Sequence, residues 1–370
     1  MNFKLALAAA AVVGLAGTAQ AADLAKKAPA AADYVKVCDA YGAGFFYIPG
    51  SDTCLKIGGY VRVELRAGDH SGSVPAPGVI LGNNRWENPL NTRVRTQLTF
   101  DARTNTEMGL LRSFIEIWIQ NQSANNGTVD ILTGAPLLTL RNAFVQFAGL
   151  TAGRANSNFD FIQGGYNIIN IEPDNSDRRV NQLAYTFAFG NGISATAAIE
   201  DQTTSDAAMT WLGGPNNVVK MPDLVGNIQV AQAWGRAQLM GAIHQNNVHF
   251  GAAPGFGGAS KVGYAIGAGV EVNLPMLGAG DKIFVQGMYG NGAVNYVMNN
   301  VVAGTVDWVP AVANSKAWSI SGGLNHNFSK QVEANLGVSY LDYQDATLAQ
   351  FDYSSWVLGG DVRWKPVAGL

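Results

Sequence analysis

The chain has 370 residues, of which 48% are hydrophobic, 10% aromatic and only 14% charged, with 44 Gly. Abundant Gly and aromatics with few charges favour strands and turns and argue against a helical protein. The formal net charge is −3, and one unit more negative once Lys4 is removed with the leading segment, so no strong global field draws nucleic acid or anionic lipid.

Lys4, an apolar stretch at 5–15 and the small residues Ala19-Gln20-Ala21 have the grammar of a signal peptide over residues 1–21. The stretch is too short for a helical membrane span, which takes about 20 apolar residues. No comparable run returns later. Residues 22–53 form an N-terminal arm and a cysteine-containing segment, and 22–36, Ala/Pro-rich with Lys26-Lys27, lacks periodicity and reads as a mobile arm. Cys38 and Cys54 lie close together in a chain bound for an oxidising compartment. They either pair as a structural disulfide or stand as two free thiols.

Strand grammar starts after Cys54. In residues 55–66, Leu55, Ile57, Val61, Val63 and Leu65 alternate with Lys56, Tyr60, Arg62, Glu64 and Arg66, the period of a strand with one apolar face. A second segment sets Val94, Leu98 and Phe100 against Arg93, Arg95, Gln97, Thr99 and Asp101; a third, 111–120, sets Leu111, Ile115, Ile117 and Ile119 against Arg112, Glu116 and Gln120. Segments 137–147 and 151–156 alternate less cleanly. Further strands are expected at 182–189, 193–200, 226–234, 236–244, 262–274, 282–289, 316–328, 331–343 and 356–364, making 14 in all. Short and long connections alternate without a slip, the long ones being 67–91, 121–136, 157–181, 201–225, 245–261, 290–315 and 344–355.

That rhythm is expected of an all-β, up-and-down antiparallel transmembrane barrel over residues 54–370, with short periplasmic turns and long external loops. A spanning sheet cannot leave an edge unpaired in lipid. At about 16 strands the bore holds water, which makes polar inward faces cheap. Lys56, Arg62, Arg66, Arg93, Arg95 and Arg112 project from the inferred inner face, with Arg141 and Arg154 on the less regular segments. Acids gather in the third long loop, 157–181: Asp160, Glu172, Asp174 and Asp177, beside Arg178-Arg179. Folded inward, that loop sets carboxylates opposite an arginine wall and narrows the bore. Alternatively the arginines pair with Glu64, Asp101 and Glu116 across strands and the loop is solvated outside. Trp118, Trp211, Trp234, Trp318, Trp356 and Trp364 fall near strand ends, as an interfacial girdle requires.

Chemistry for catalysis is not visible. His70, His244, His249 and His326 are scattered, no G-x-S-x-G elbow occurs, and the glycines at 263–269 lie within a strand, where they relieve curvature or crowding. No cofactor or metal is expected.

Residues 37–62, VCDAYGAGFFYIPGSDTCLKIGGYVR, resemble the N-terminal signature of the alphaproteobacterial porin family. The stretches 143–149 (AFVQFAG), 151–154 (TAGR) and 183–186 (LAYT) are similar to it as well. The resemblance implies a 16-stranded, homotrimeric outer-membrane porin, passed passively by small hydrophilic solutes and ions and surrounded by lipid and lipopolysaccharide. It implies that Asp160, Glu172, Asp174 and Asp177 are constriction-loop acids facing Arg62, Arg93, Arg95 and Arg112. It also implies two further strands and a terminal aromatic after the point where this sequence ends, so a last hairpin is expected to be missing here. A sugar- or anion-selective channel and a non-conducting surface barrel are the competing readings.

Overall fold

The computed structural model describes residues 36–67, 90–122, 137–163, 166, 175–201, 216–217, 221–249, 259–298, 308–309, 313–346, 352–367 and 369. The signal segment, most of the arm, His70, Trp211, Glu172 and Asp174 lie outside them.

Fourteen long strands carry the fold: β2 (Cys54–Ala67), β3 (Leu90–Thr106), β4 (Gly109–Gln122), β5 (Leu137–Phe147), β6 (Leu150–Asn156), β7 (Arg179–Gly190), β8 (Ile193–Glu200), β10 (Asp223–Gln232), β11 (Gly235–His249), β12 (Ala259–Asn273), β13 (Lys282–Asn291), β16 (Lys316–Asn327), β17 (Val332–Gln344) and β18 (Tyr353–Trp364). Two short pieces, β1 (Phe46–Tyr47) and β9 (Asn216–Asn217), extend the sheet to 16 strands, and β14 (Trp308–Val309) pairs with β15 (Ala313–Asn314) as a separate hairpin. Along the main path each strand pairs antiparallel with its neighbour, β8 passing directly to β10.

The alternation seen in the sequence becomes two faces. Ile57, Val61, Val63 and Leu65 stay exposed on the outside of β2, while Glu64 between them is buried inside. Repeated around the sheet, this leaves an apolar band on the outward face, which suits hydrocarbon and would be untenable in water. At the short-turn end, Ala148 and Gly149 have φ of 49° and 87°, and Asn191 and Gly192 have 51° and 76°. Positive φ at both central residues is the tight hairpin geometry that matches strand twist.

Cys38 and Cys54 form a disulfide with a Cα–Cα distance of 6.0 Å. It ties the segment carrying β1 to the first residue of β2, and Phe45 is buried against it.

The interior is filled on one side. Phe159, Phe161 and Ile162, from the loop after β6, bury among Ala184, Ala198, Val225, Met240, Ala242 and Ala265 on the inner faces of β7 to β12. Small alanines on the wall leave the depth that the loop's rings occupy. A second segment, 293–298 after β13, joins the same cluster through Val294, Tyr296 and Val297. The inner faces of β2 to β5 carry arginines instead.

Candidate functional site

The arginine wall is built by register. In β2 and β3, Glu64 stands opposite Arg93 and Arg62 opposite Arg95; in β3 and β4, Arg95 stands opposite Gln120 and Arg103 opposite Arg112. Glu64 accepts from Arg62 at 2.5 Å and from Arg93 at 2.7 Å. Asp101 accepts from Arg103 at 2.8 Å and Arg112 at 3.0 Å, and Arg112 also donates to Gln146 at 3.1 Å. Four arginines are therefore paired with wall carboxylates, two sharing Glu64 and two sharing Asp101, the pairing that was the alternative reading of the sequence. The backbone of Arg66 pairs with Asn91, and its side chain lies outside the description.

Arg95 and Arg141 differ. Arg95 donates its Nε to the neutral amide oxygen of Gln120 at 2.9 Å, and its guanidinium carbon lies 3.8 Å from the centroid of the Trp118 ring. Arg141 also lies 3.8 Å from the Trp118 ring, whose Nε1–H donates to Gln97 at 2.9 Å. Neither arginine has a salt-bridge partner within 4 Å among the described residues. Asp177, Glu116, Arg179 and Arg95 are the charges that act on Arg141. Stacking on an indole spreads a guanidinium's charge without cancelling it.

Arg141 reaches this place by a β-bulge. Glu116 pairs with Asn142 and Ile117 with Leu140, so Arg141 is the extra residue and joins Asn142 on the inner side. Trp118 therefore corrects one expectation, since it lies inside, at the arginine pair, rather than in an interfacial girdle. Trp234, Trp318, Trp356 and Trp364 are exposed near strand ends. Arg154 corrects another. It shares strand parity with Leu150 and Ala152, opposite to Thr151, whose hydroxyl accepts from the inward Gln146 at 3.2 Å, and so it lies on the outer face.

Opposite the wall, residues 157–163 run sideways across the inner face, held at three strands by side-chain amides. Asn227 of β10 donates to the carbonyl of Asn158 at 2.6 Å, and Gln238 of β11 to that of Asp160 at 3.2 Å. Gln286 of β13 both donates to the carbonyl of Ile162 at 2.9 Å and accepts its N–H at 3.2 Å. Tyr166 closes the crossing, donating to Glu271 at 2.9 Å and meeting Phe284 edge-on at 4.9 Å. An irregular backbone inside the bore needs these partners, because its own groups have no ladder to join.

The loop acids do not form a free row. Asp160 accepts from Gln163 at 2.6 Å, from the Arg178 backbone N–H at 2.9 Å and from the Ser176 hydroxyl, so it pins the outgoing strand of the loop to the returning one. Burial nonetheless pushes its pKa up to about 7 against those three donors. Asp177 pairs with Arg179 at 2.9 Å. Glu172 and Asp174 lie outside the described residues.

Sequence reasoning missed a polar latch above the loop. Asp223 at the start of β10 accepts from the Tyr296 hydroxyl at 2.6 Å and lies 2.8 Å from His244 Nδ1. Arg178 stacks on Tyr296 at 3.9 Å, and Phe159 packs on the same ring at 5.0 Å. Beside them, Glu200 accepts from the Ser157 hydroxyl at 2.7 Å and the Asn158 N–H at 2.8 Å. The sequence signal available was the apolar character of the connection 290–315, which carries Ala293, Val294, Val297 and Met298 near its start and is too hydrophobic for a loop solvated throughout. His326 faces Asp281 at 2.5 Å, and among the described residues no group of three or more His, Cys, Asp or Glu is placed to hold a metal.

The sequence profile of a family described as the porin subfamily matches residues 23–370. Porin Omp2b of Brucella abortus (strain 2308) is 36% identical over 244 residues, 64% of this chain and 64% of that protein. Porin Omp2b of Brucella melitensis biotype 1 matches to the same extent, so the similar stretch spans a little under two thirds of these relatives. Among solved structures, the outer membrane channel DcaP of Acinetobacter baumannii superposes with a TM-score of 0.61 at 12% identity, covering 85% of this chain and 99% of that one. Outer-membrane expressed OmpT of Vibrio cholerae gives 0.52 at 11% identity, over 87% and 85%. At such identities the likeness is one of fold.

Proposed function

The chain belongs to the porin subfamily, and from that membership and the geometry of its interior we propose that it is an outer-membrane channel for the passive diffusion of small hydrophilic solutes and ions, and not an enzyme. The observation that carries the reading is the division of the bore. A wall of arginines on β2 to β5 faces a loop clamped by Asn227, Gln238 and Gln286 against the other side. Such a section sieves by size and imposes a transverse field on whatever passes.

The arginine wall of Arg62, Arg66, Arg93, Arg95, Arg112 and Arg141 and the loop acids Asp160, Glu172, Asp174 and Asp177 belong to this constriction, with Arg95 and Arg141 as its active cations. That neither has a carboxylate partner among the described residues favours a second reading, a preference for anions over cations. A homotrimer surrounded by outer-membrane lipid is the assembly that fits the sequence resemblance. Insertion of the folded chain into planar bilayers tests the proposal: stepwise conductance with a size cut-off for neutral solutes is expected, and a folded protein that never conducts overturns it. Reversal potential in a salt gradient decides the anion preference.

A further inference from the structure

The outward face carries a depression that the channel reading does not use. On one level of the sheet, Ala197 of β8 pairs with Gly226 of β10, and Gly226 with Gly241 of β11. These three small residues form a floor, closed at its ends by Tyr185 and Ile266, their register partners on β7 and β12. One level up, Ile199, Leu224 and Ile243 make a raised apolar wall, each nearly half exposed. The hollow measures about 850 Å³ and its lining is almost wholly apolar.

Two levels above the floor on the β6 side, where Leu150 lines the hollow, Arg154 lies on the outward face. At ~3.4 Å per residue the four residues between them span about 14 Å. The Arg154 Nε donates to the carbonyl of Leu140 at 3.1 Å. No carboxylate pairs with it among the described residues. Asp201, the acid at that level, stands across β7, about 10 Å away by strand spacing. An arginine in an apolar outward band at the loop end of the sheet is a cation at the height where lipid headgroups begin.

We propose that Arg154 and the Ala197-Gly226-Gly241 hollow together bind one anionic lipid, the guanidinium holding the headgroup phosphate and the hollow taking an acyl chain. The charge selects the headgroup, and the absent side chains on the floor supply room that a smooth barrel surface lacks. The inference rests on the outward face meeting lipid and is independent of conduction.

The test compares the detergent-solubilised full-length protein with R154Q and G241L, using native mass spectrometry after equilibration with phosphatidylglycerol or with phosphatidylcholine of identical chains. A β-carbon at Gly241 meets only the Ala265 carbonyl at 3.8 Å, so leucine there fills the hollow without straining the sheet. The native protein is expected to retain phosphatidylglycerol roughly tenfold better than phosphatidylcholine, because both carry a phosphate but in the latter a choline cation offsets it. R154Q loses that preference, and G241L loses retention of both, while bilayer conductance of each variant stays unchanged. Equal retention of the two lipids by the native protein overturns the headgroup assignment, and undiminished retention by G241L overturns the hollow. Should G241L not fold, R154Q alone decides the headgroup contact. A change of oligomeric state in G241L would mean that a second copy of the chain occupies the hollow, which also overturns the proposal.

Discussion

Phe161 lies directly over Gly269: a β-carbon at Gly269 would stand 2.3 Å from the ring's Cδ1. The glycine in β12 is the floor of the socket that receives the loop's aromatic ring, and the Arg236 guanidinium covers the same ring at 4.9 Å. Substituting Gly269→Val should expel Phe161 and surrender about 2 kcal/mol of ring burial. The loop then lifts from β12, so single-channel conductance should rise and the largest neutral solute admitted should grow. Unchanged conductance in a folded variant would detach the loop from the control of pore width.

Removing the two cations that stack on Trp118 should act on selectivity more than on folding. A unit charge about 6 Å from a permeating ion in a water-like dielectric is worth about 0.7 kcal/mol, a roughly threefold change in relative permeability. The double variant R95A/R141A removes two such charges and is expected to shift the reversal potential toward cations by about tenfold in relative permeability. R93A is expected to differ, because it releases the Glu64 carboxylate from a 2.7 Å ion pair.

Asp160 gives the loop a pH dependence with a definite sign. Burial raises its pKa from 3.8 to about 7, so the seated loop prefers the neutral acid. The stabilisation this provides is complete below the unfolded value, falls as pH rises and is gone above about 7. Current noise from loop motion should therefore be lowest in acid and increase toward pH 7. D160N, neutral throughout, should flatten the profile, and an equally steep profile in D160N would assign the titration elsewhere.

The latch at Asp223 should matter to stability. Asp223→Ala leaves the Tyr296 hydroxyl and the His244 ring without the acceptor they share, and each buried unsatisfied group costs about 1–3 kcal/mol. A lowered thermal midpoint together with faster proteolysis near residues 293–298 is the expected outcome. A lowered midpoint with an untouched protease pattern would make Asp223 a general structural residue.

At the other end of the chain, reduction of Cys38–Cys54 removes a link that closes 16 residues. A cross-link of that span is worth about 3 kcal/mol in the chain-entropy account. Because it fastens only the segment ahead of β2, limited proteolysis should open residues 36–53 after reduction while bilayer conductance persists. Loss of conductance on reduction would tie that segment to the bore.

The strands were legible because their signal is local: Leu55 to Arg66 states both faces in twelve residues, and β8 was read to its exact ends at Ile193 and Glu200. The interior was legible only as charge. That Arg62, Arg93 and Arg112 project inward follows from parity, but which arginine is paired with a carboxylate depends on residues as distant as Glu64 and Asp101. Trp118 was misplaced because a girdle and a lumen both use tryptophan near strand ends, and only the cross-strand neighbours tell them apart. Arg154 was misplaced with it, because the irregular β5–β6 hairpin blurs parity. The glycines of 263–269 relieve crowding, and the structure supplies what a side chain there would meet. At Gly269 it is Phe161, and at Gly263 the Gly292 carbonyl, which a β-carbon would meet at 2.0 Å.

The bulge at Arg141 makes the charge on the inner face a matter of counting residues. A regular β5 would alternate Leu140 outward, the next residue inward and the one after outward, presenting one polar group to the bore; the extra residue presents Arg141 and Asn142 together. Deleting one position there restores an unbroken ladder and subtracts a cation in the same stroke, with no change of amino-acid type anywhere else. One residue gained or lost at this spot thus alters the charge that the sheet presents inward while every strand keeps its place.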